Sequence, residues 1–287
     1  MFWTSKKRNK SGAVTAAGDP DAAKEPIACL LSDTGCCREL NEDSAKIIHA
    51  GPNGHGKPGL LVVLADGMGG HQAGEVASRT AVETVGKEYL AYRGTPGKAL
   101  EESFHKANQT ILRIAKKNRA MADMGTTCTA LAIVEQQAWA AHVGDSRLYL
   151  VRDREIYQLS EDHTQCMEMV RRGILTMEEA KRHEDRNVLM RAMGTRPKLE
   201  MMTWPESMVV KPRDVFVLCS DGLHDLVSDA EIRDMVWDAD PSLACSKLVE
   251  VARSRGGYDN ITLAVVAVPP REAPAPLRET AQYEVNT

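Results

Sequence analysis

The apolar positions of the chain follow two rhythms. Short apolar-rich runs lie at 27–31, 45–49, 60–64, 127–134, 138–143, 148–151, 156–159, 215–219 and 261–268. Runs of that length predict β-strands. Two longer stretches repeat their apolar residues every three or four positions instead. The first, 74–92, carries Val76, Ala77, Ala81, Val82 and Val85; the second, 98–118, carries Leu100, Phe104, Ala107, Ile111, Leu112 and Ala115. That spacing predicts helices with one face on a core. Further helices are expected at 229–237 and 241–254, and a helix-rich insert at 164–193. Strands arrive in adjacent groups and helices in pairs, without strict βαβ alternation. The expectation is an α+β domain of mainly antiparallel sheets covered by helix pairs.

The two ends break the pattern. Residues 1–26 carry Lys6, Lys7, Arg8 and Lys10 and then an Ala/Gly/Asp/Pro-rich stretch, with no apolar h-region of a secretory signal. Residues 269–287 are Pro-rich and polar. Both predict disordered tails around one folded unit at 27–268. No run of about 18 apolar residues exists, so no membrane span is expected. Composition changes the picture little: 287 residues, 43% apolar and 26% charged, suit a globular chain with a sizeable core. A formal charge of -4 gives no case for nucleic acid or anionic membrane as the main partner. The seven cysteines form no C-x-x-C pair, and Cys36 and Cys37 are adjacent, an awkward geometry for bridging each other. Reduced thiols, hence a cytoplasmic protein, are expected, and a monomer.

Two glycine-rich stretches imitate phosphate loops. Residues 51–58 read G-P-N-G-H-G-K-P, one residue short of a P-loop, with Pro58 lacking both the hydroxyl and the N–H that the loop needs. A strand follows where a helix N-terminus would be required, so a hairpin loop is the better reading. The D-G-M-G-G stretch after the third strand has Gln72 where a dinucleotide fingerprint needs its third glycine.

The candidate chemistry lies in four aspartates at strand ends. Asp43 opens a strand, Asp66 follows 60–64 in L-V-V-L-A-D-G, Asp221 follows 215–219 in V-F-V-L-C-S-D-G, and Asp259 precedes the last strand in Y-D-N-I-T. Each alone reads as a turn residue. Together they can deliver carboxylates to one rim of packed sheets, with glycines letting backbone carbonyls approach a ligand. Hard divalent cations favour such oxygen donors and keep several waters, and they remove the repulsion among converging carboxylates.

In order the chain shows R-E-L-N-E-D-S (38–44), A-D-G-M-G-G-H-Q-A-G-E (65–75), G-T-T-C-T-A (125–130), H-V-G-D-S-R (142–147), S-E-D-H-T (160–164), C-S-D-G-L (219–223) and Y-D-N-I-T (258–262). This set resembles the type 2C family of metal-dependent protein phosphatases in its compact bacterial form. The resemblance implies a four-layer α/β/β/α sandwich and hydrolysis of phosphoserine and phosphothreonine. It implies that Asp43, Asp66, Asp221 and Asp259, with the carbonyl of Gly67, surround two Mn²⁺ or Mg²⁺ ions. Asp145 is similar to the aspartate that helps Asp221 hold a third, weaker ion, and Arg38 to the phosphate-binding arginine. Thr126, Thr127, Ser146 and Arg147 read as supporting residues.

The expected reaction is in-line attack by a metal-bridging hydroxide, with Arg38 and the metals stabilising the phosphoryl oxygens. Many eukaryotic members carry histidine directly after the second-motif Asp-Gly as the general acid; here Met68 stands there, so a metal-bound water is expected to donate, with His71 orienting the loop and His163 bracing the site. The insert at 164–193, with Arg171, Arg172, Arg182, Arg186 and Arg191, resembles a flap beside the site; contact with phosphopeptides and an ordinary charged surface are both open readings. Phosphoproteins, and a cognate Ser/Thr kinase and its substrates, are the expected partners. Two rival readings stay open: a non-catalytic phosphoprotein-binding module, and a hydrolase of small phosphate esters.

Overall fold

The structure, a computed structural model, describes residues 25–51, 59–69 and 72–270. Most of both expected tails, the loop at 52–58 and His71 lie outside the described residues. In chain order the strands are β1 (Ile27–Asp33), β2 (Asp43–Ala50), β3 (Gly59–Met68), β4 (Gly125–Thr126), β5 (Cys128–Val134), β6 (Gln137–Val143), β7 (Arg147–Arg152), β8 (Glu155–Gln158), β9 (Met202–Thr203), β10 (Met208–Val209), β11 (Val215–Cys219) and β12 (Ile261–Ala267). The helices are α1 (Gln72–Ala91), α2 (Pro96–Lys117), α3 (Gln165–Arg171), α4 (Met177–Arg182), α5 (Asp221–His224), α6 (Asp229–Val236) and α7 (Pro241–Ser254).

The strands form two antiparallel sheets. One runs β1-β12-β11-β7-β8; the other runs β10-β6-β5-β3-β2, with β4 added to β3 and β9 to β6. Three cores separate four layers. Leu61, Val63, Ala65, Ala130 and Ala132 point to α1 and α2, where they meet Val85, Leu100, Phe104 and Ile111. The alternate residues Leu60, Val62, Leu64, Leu131 and Ile133 point the other way, onto Leu148, Leu150, Phe216, Leu218 and Val266 of the facing sheet. The outer face of that sheet, with Tyr149, Val217 and Leu263, packs on Ile232, Leu248 and Ala252 of α6 and α7. This is the α/β/β/α sandwich. Because β5 is covered on both faces, it is buried along its whole length and shows no polar alternation.

The helix starts follow local chemistry. Pro96 occupies the first turn of α2 and Thr95 caps it by accepting from Lys98 N. Asp240 caps α7, accepting from the Ser242 and Leu243 amides ahead of Pro241. Thr176 with Glu179 and Ser228 with Glu231 form capping boxes at α4 and α6.

Three local readings change. The insert at 164–193 holds only the short helices α3 and α4, and its second half is irregular. β3 does not end at Asp66 but continues to Met68, because β4 pairs with Gly67 and Met68. Asp221 opens the one-turn α5, with Ser220 at its N-cap. Among the described residues no helix is long and apolar enough to cross a membrane.

Candidate metal centre

Asp43 and Asp66 sit directly opposite one another in the β2–β3 ladder. That register, carried by pairing up to Ala50 opposite Gly59, puts two carboxylates on one end of the sheet from residues far apart in sequence. Asp221 and Asp259 come from the facing sheet, at the end of β11 and the start of β12, which are neighbours in it. The mouth between the sheet ends is a cleft of about 580 Å³. Arg38, Asp66, Gly67, Asp145, Asp221 and Asp259 line it, with Met68 beside them. Asp43 is buried behind this lining.

Each carboxylate is placed by its neighbours. The Asp66 main chain is clamped: its N–H donates to Thr127 Oγ1 at 2.8 Å, and its carbonyl accepts from Thr126 Oγ1 at 2.8 Å and Thr127 N at 2.9 Å. Thr127 Oγ1 in turn hydrogen-bonds Ser146 Oγ at 2.8 Å. Asp43 Oδ2 accepts from Ser220 Oγ at 2.9 Å. Asp145 follows Gly144, whose φ of +110° and closeness to Thr127, 2.5 Å from a Cβ built there, exclude a side chain. His163 braces the same turn: its Nδ1 accepts from Gly144 N at 3.1 Å, and its own N–H donates to Gly144 O at 2.8 Å. His224 Nε2 lies 3.0 Å from the carbonyl of Asp145.

Gly67 also has a packing reason. A Cβ there would stand 2.2 Å from Gly74 O and 2.6 Å from Glu42 O. Its lack of a side chain lets three backbone segments meet, and Gly222, where a Cβ would fall 2.0 Å from Asn260 O, does the same beside Asp221.

The electrostatics are those of a site that lacks its counter-charge. Burial, with the charges of Asp221 and Asp259, pushes Asp43 up to about 7. Burial and then Asp221 push Asp145 up to about 7. Asp66 is held well above the ordinary carboxylate range by burial and by Asp43, Asp221, Asp145 and Asp259, and Asp221 is raised by burial, partly offset by His224. Asp43 Oδ1 is buried with no hydrogen-bond partner. A buried carboxylate oxygen without a donor is costly, and a cation satisfies it. The all-oxygen donor set fits a hard divalent metal. Among the described residues no three acidic, imidazole or thiol groups stand ready as a closed metal shell; a site that fills its coordination largely with water does not require one.

Arg38 is tied to the carboxylates at the mouth. Its NH2 donates to Asp259 Oδ2 at 2.7 Å, while Asp259 Oδ1 accepts from Asn260 N at 2.8 Å. The residue expected to meet phosphate is therefore paired with one expected to meet metal. Asn260 escaped the sequence reading, and Thr195 and Arg196 lie beyond the expected flap at 164–193, which supplies the rest of one wall. Asn260 stitches the site together, donating to Thr34 O and Leu40 O at 3.0 Å each and accepting from Glu42 N at 2.8 Å. The opposite wall is Asn187, Leu189, Met190, Arg191, Thr195 and Arg196. Asn260 was visible in Y-D-N-I-T as a turn residue; the wall has no periodic signal. In the insert, Arg171 and Arg172 are spoken for by Glu161 and Glu168, whereas Arg191 reaches the cleft.

The profile described as Protein phosphatase 2C matches residues 40–250. The chain is 36% identical over 251 residues to protein phosphatase PhpP of Streptococcus pneumoniae, covering 85% of this chain and 98% of that one. The serine/threonine protein phosphatase PstP of Mycobacterium tuberculosis is 35% identical over 245 residues, covering 83% of this chain and 44% of that longer protein. The crystal structure of the M. tuberculosis serine/threonine phosphatase PstP/Ppp superposes with a TM-score of 0.76 at 33% identity, covering 85% of this chain and 99% of that one. A structure of the PstP catalytic domain in complex with two manganese ions gives a TM-score of 0.73 at 32% identity, covering 85% and 98%.

Proposed function

The chain belongs to the protein phosphatase 2C family, and from that premise we propose that it is a divalent-metal-dependent serine/threonine protein phosphatase that removes phosphate from phosphoproteins. The observation that carries the site reading is the buried, partnerless Asp43 Oδ1 within a ring of carboxylates that raise one another's pKa. Asp43, Asp66, Asp221 and Asp259, with the Gly67 carbonyl, would hold two Mn²⁺ or Mg²⁺ ions; the manganese complex of the PstP catalytic domain supports that count. When bound, the pair supplies an activated water for in-line attack and neutralises the phosphoryl oxygens.

The remaining work falls to residues of this chain. Arg38, which donates to Asp259 Oδ2 at 2.7 Å, would be free to bind phosphoryl oxygens through its donor fork when Asp259 holds a cation instead. Thr126, Thr127 and Ser146 hold Asp66 in place through the reaction. Met68 carries no proton to give, so the leaving alkoxide takes its proton from water in the cleft. Asp145, braced by His163, sits beside Asp221 where a third, weaker ion would bind. A kinase that phosphorylates the same Ser/Thr substrates is the proposed partner. The folded unit at 27–268 is proposed to be one catalytic domain, with 164–193 as its flap.

Rates on a phosphothreonine peptide, a phosphotyrosine peptide and a nucleotide, each with and without Mn²⁺, test this reading. Metal-dependent preference for the phosphothreonine peptide is expected; preference for the nucleotide would favour a small-ester hydrolase, and no turnover of any would favour a binding module. For the third ion, Asp145→Asn should fold, bind two ions tightly by calorimetry and lose most turnover. Wild-type turnover in that variant, or loss of the tight pair, would discard the role.

A further inference from the structure

Four of the seven thiols, Cys128, Cys166, Cys219 and Cys245, are buried, and Cys29 is half-buried; Cys36 and Cys37 are the exposed ones. Burial pushes Cys219 and Cys245 up to about 12, far from the thiolate form at neutral pH. The exposed pair stands in the β1–β2 loop immediately before Arg38. Both sulfurs face one turn at the end of α7: Cys36 Sγ lies 3.9 Å from Arg253 O and Cys37 Sγ 4.0 Å from Gly256 O. Cys36 N donates to Gly257 O at 2.7 Å. A Cβ on the neighbouring Gly35 would stand 2.2 Å from Asp259 O, so the loop and the turn meet without slack. Arg38 and Asp259 lie on opposite sides of this seam and join across it.

We propose that Cys36 and Cys37 form a thiol–disulfide exchange site, at which a low-molecular-weight disulfide makes a mixed disulfide that pries the Arg38 loop away from Asp259 and weakens phosphosubstrate use. The proposal rests on the assignment of Arg38 to phosphate. The step balances without another oxidant. A thiolate of the pair attacks one sulfur of the incoming disulfide, a new S–S bond forms as the old one breaks, and the other half leaves as a thiolate that takes up a proton. Exposure separates this pair from the other thiols. With the sulfurs 3.9 and 4.0 Å from the carbonyls of the 253–257 turn, an adduct on that side displaces the loop, and Arg38, the next residue, with it.

The Mn²⁺-loaded full chain is assayed on a phosphothreonine peptide, treated with oxidised glutathione, digested for mass spectrometry and assayed again. The first glutathionyl group is expected on Cys36 or Cys37, together with a fall in kcat/KM of about tenfold, the scale of one charge-assisted hydrogen bond. Metal content should be unchanged, and dithiothreitol should restore the rate. The double variant Cys36→Ser/Cys37→Ser should match the untreated rate and resist treatment. A first adduct on another cysteine, an adduct that leaves kcat/KM unaltered, or equal loss in the double variant overturns the proposal. Because the untreated rate is measured first, an inactive starting protein fails the phosphatase reading, whereas an active one whose rate survives the adduct fails this one.

Discussion

Beside the cleft, Asp162 receives Arg147 Nε and NH2 at 2.7–3.1 Å and Gln158 Nε2 at 2.8 Å, while Arg147 also reaches Tyr149 Oη, which donates to Asp229. A few residues away His142 and His163 stack 5.0 Å apart, and burial keeps them neutral, pushed down to about 4 and about 3. The cleft floor gathers the buried Asp43 and Asp145 with the half-buried Asp66 and Asp221, and among the described residues no arginine or lysine pairs with any of the four; Arg38 engages Asp259 at the mouth, and Arg191 and Arg196 stand on the wall. One region closes its charge account with its own side chains and holds shape; the other leaves it open for something that must arrive. A buried acid is therefore no sign of function by itself. Its missing partner is.

Metal removal tests the open region most severely. Excess chelator should lower kcat by more than about 10⁴-fold, over 5 kcal/mol in barrier, with recovery on adding Mn²⁺ or Mg²⁺. Full activity after elemental analysis shows the metal gone would erase the distinction between the two regions. The closed region should answer in stability instead. Arg147→Met strands Asp162 and should cost about 3–5 kcal/mol in denaturant unfolding, while leaving calorimetric metal affinity near wild type. Equal damage to metal binding would show the two regions act as one. Arg38→Ala should lower kcat/KM by about 1.5–3 kcal/mol with the metal pair retained, and unchanged kinetics would remove Arg38 from the site.

The smallest effect separates the regions by sign. Asp43 and Asp145, raised to about 7, bind more protons folded than unfolded, so their stability contribution is full below about 4 and lost as pH rises through 7. His142 and His163, depressed, contribute above 6.5 and lose it as pH falls toward 4 and 3. The histidine part is common to loaded and chelated protein. The Tm difference between Mn²⁺-loaded and chelated samples should therefore widen from pH 5 to pH 8, by about 2–4 °C or more, the shift of roughly 1 kcal/mol in a chain of this size. A difference that narrows or stays flat in differential scanning calorimetry would mean that the floor carboxylates are not raised.

Much of this was legible in the chain. The apolar runs marked the longer strands, and the helical spacing marked α1, α2, α6 and α7, because burial of a whole face leaves a periodic trace. The two-residue strands β4, β9 and β10 and the one-turn α5 leave none, since tertiary neighbours rather than their own sequence hold them. The aspartates stood out because strand ends are where side chains leave a sheet for a cleft. That Asp43 faces Asp66 depends on ladder register, which the sequence of the connecting segment does not specify by itself. The Arg38–Asp259 pair spans 221 positions and has no local signature, and Thr195 and Arg196 extend the cleft wall past the insert that the sequence marked.

The placement of β12 between β1 and β11 carries a temporal meaning. On the ribosome β1 is made first among the strands and must wait for a partner that emerges more than two hundred residues later. Until β12 inserts, β1 is cut off from β11, β7 and β8, and such long-range pairing is the slow part of folding. A nascent chain that already displays Asp43, Asp66, Asp145 and Asp221 still lacks Asp259 and the strand that follows it. The enzyme is thus silent while it is being made, and it gains the power to act on its surroundings only when synthesis has delivered the strand that joins β1 to the rest of its sheet.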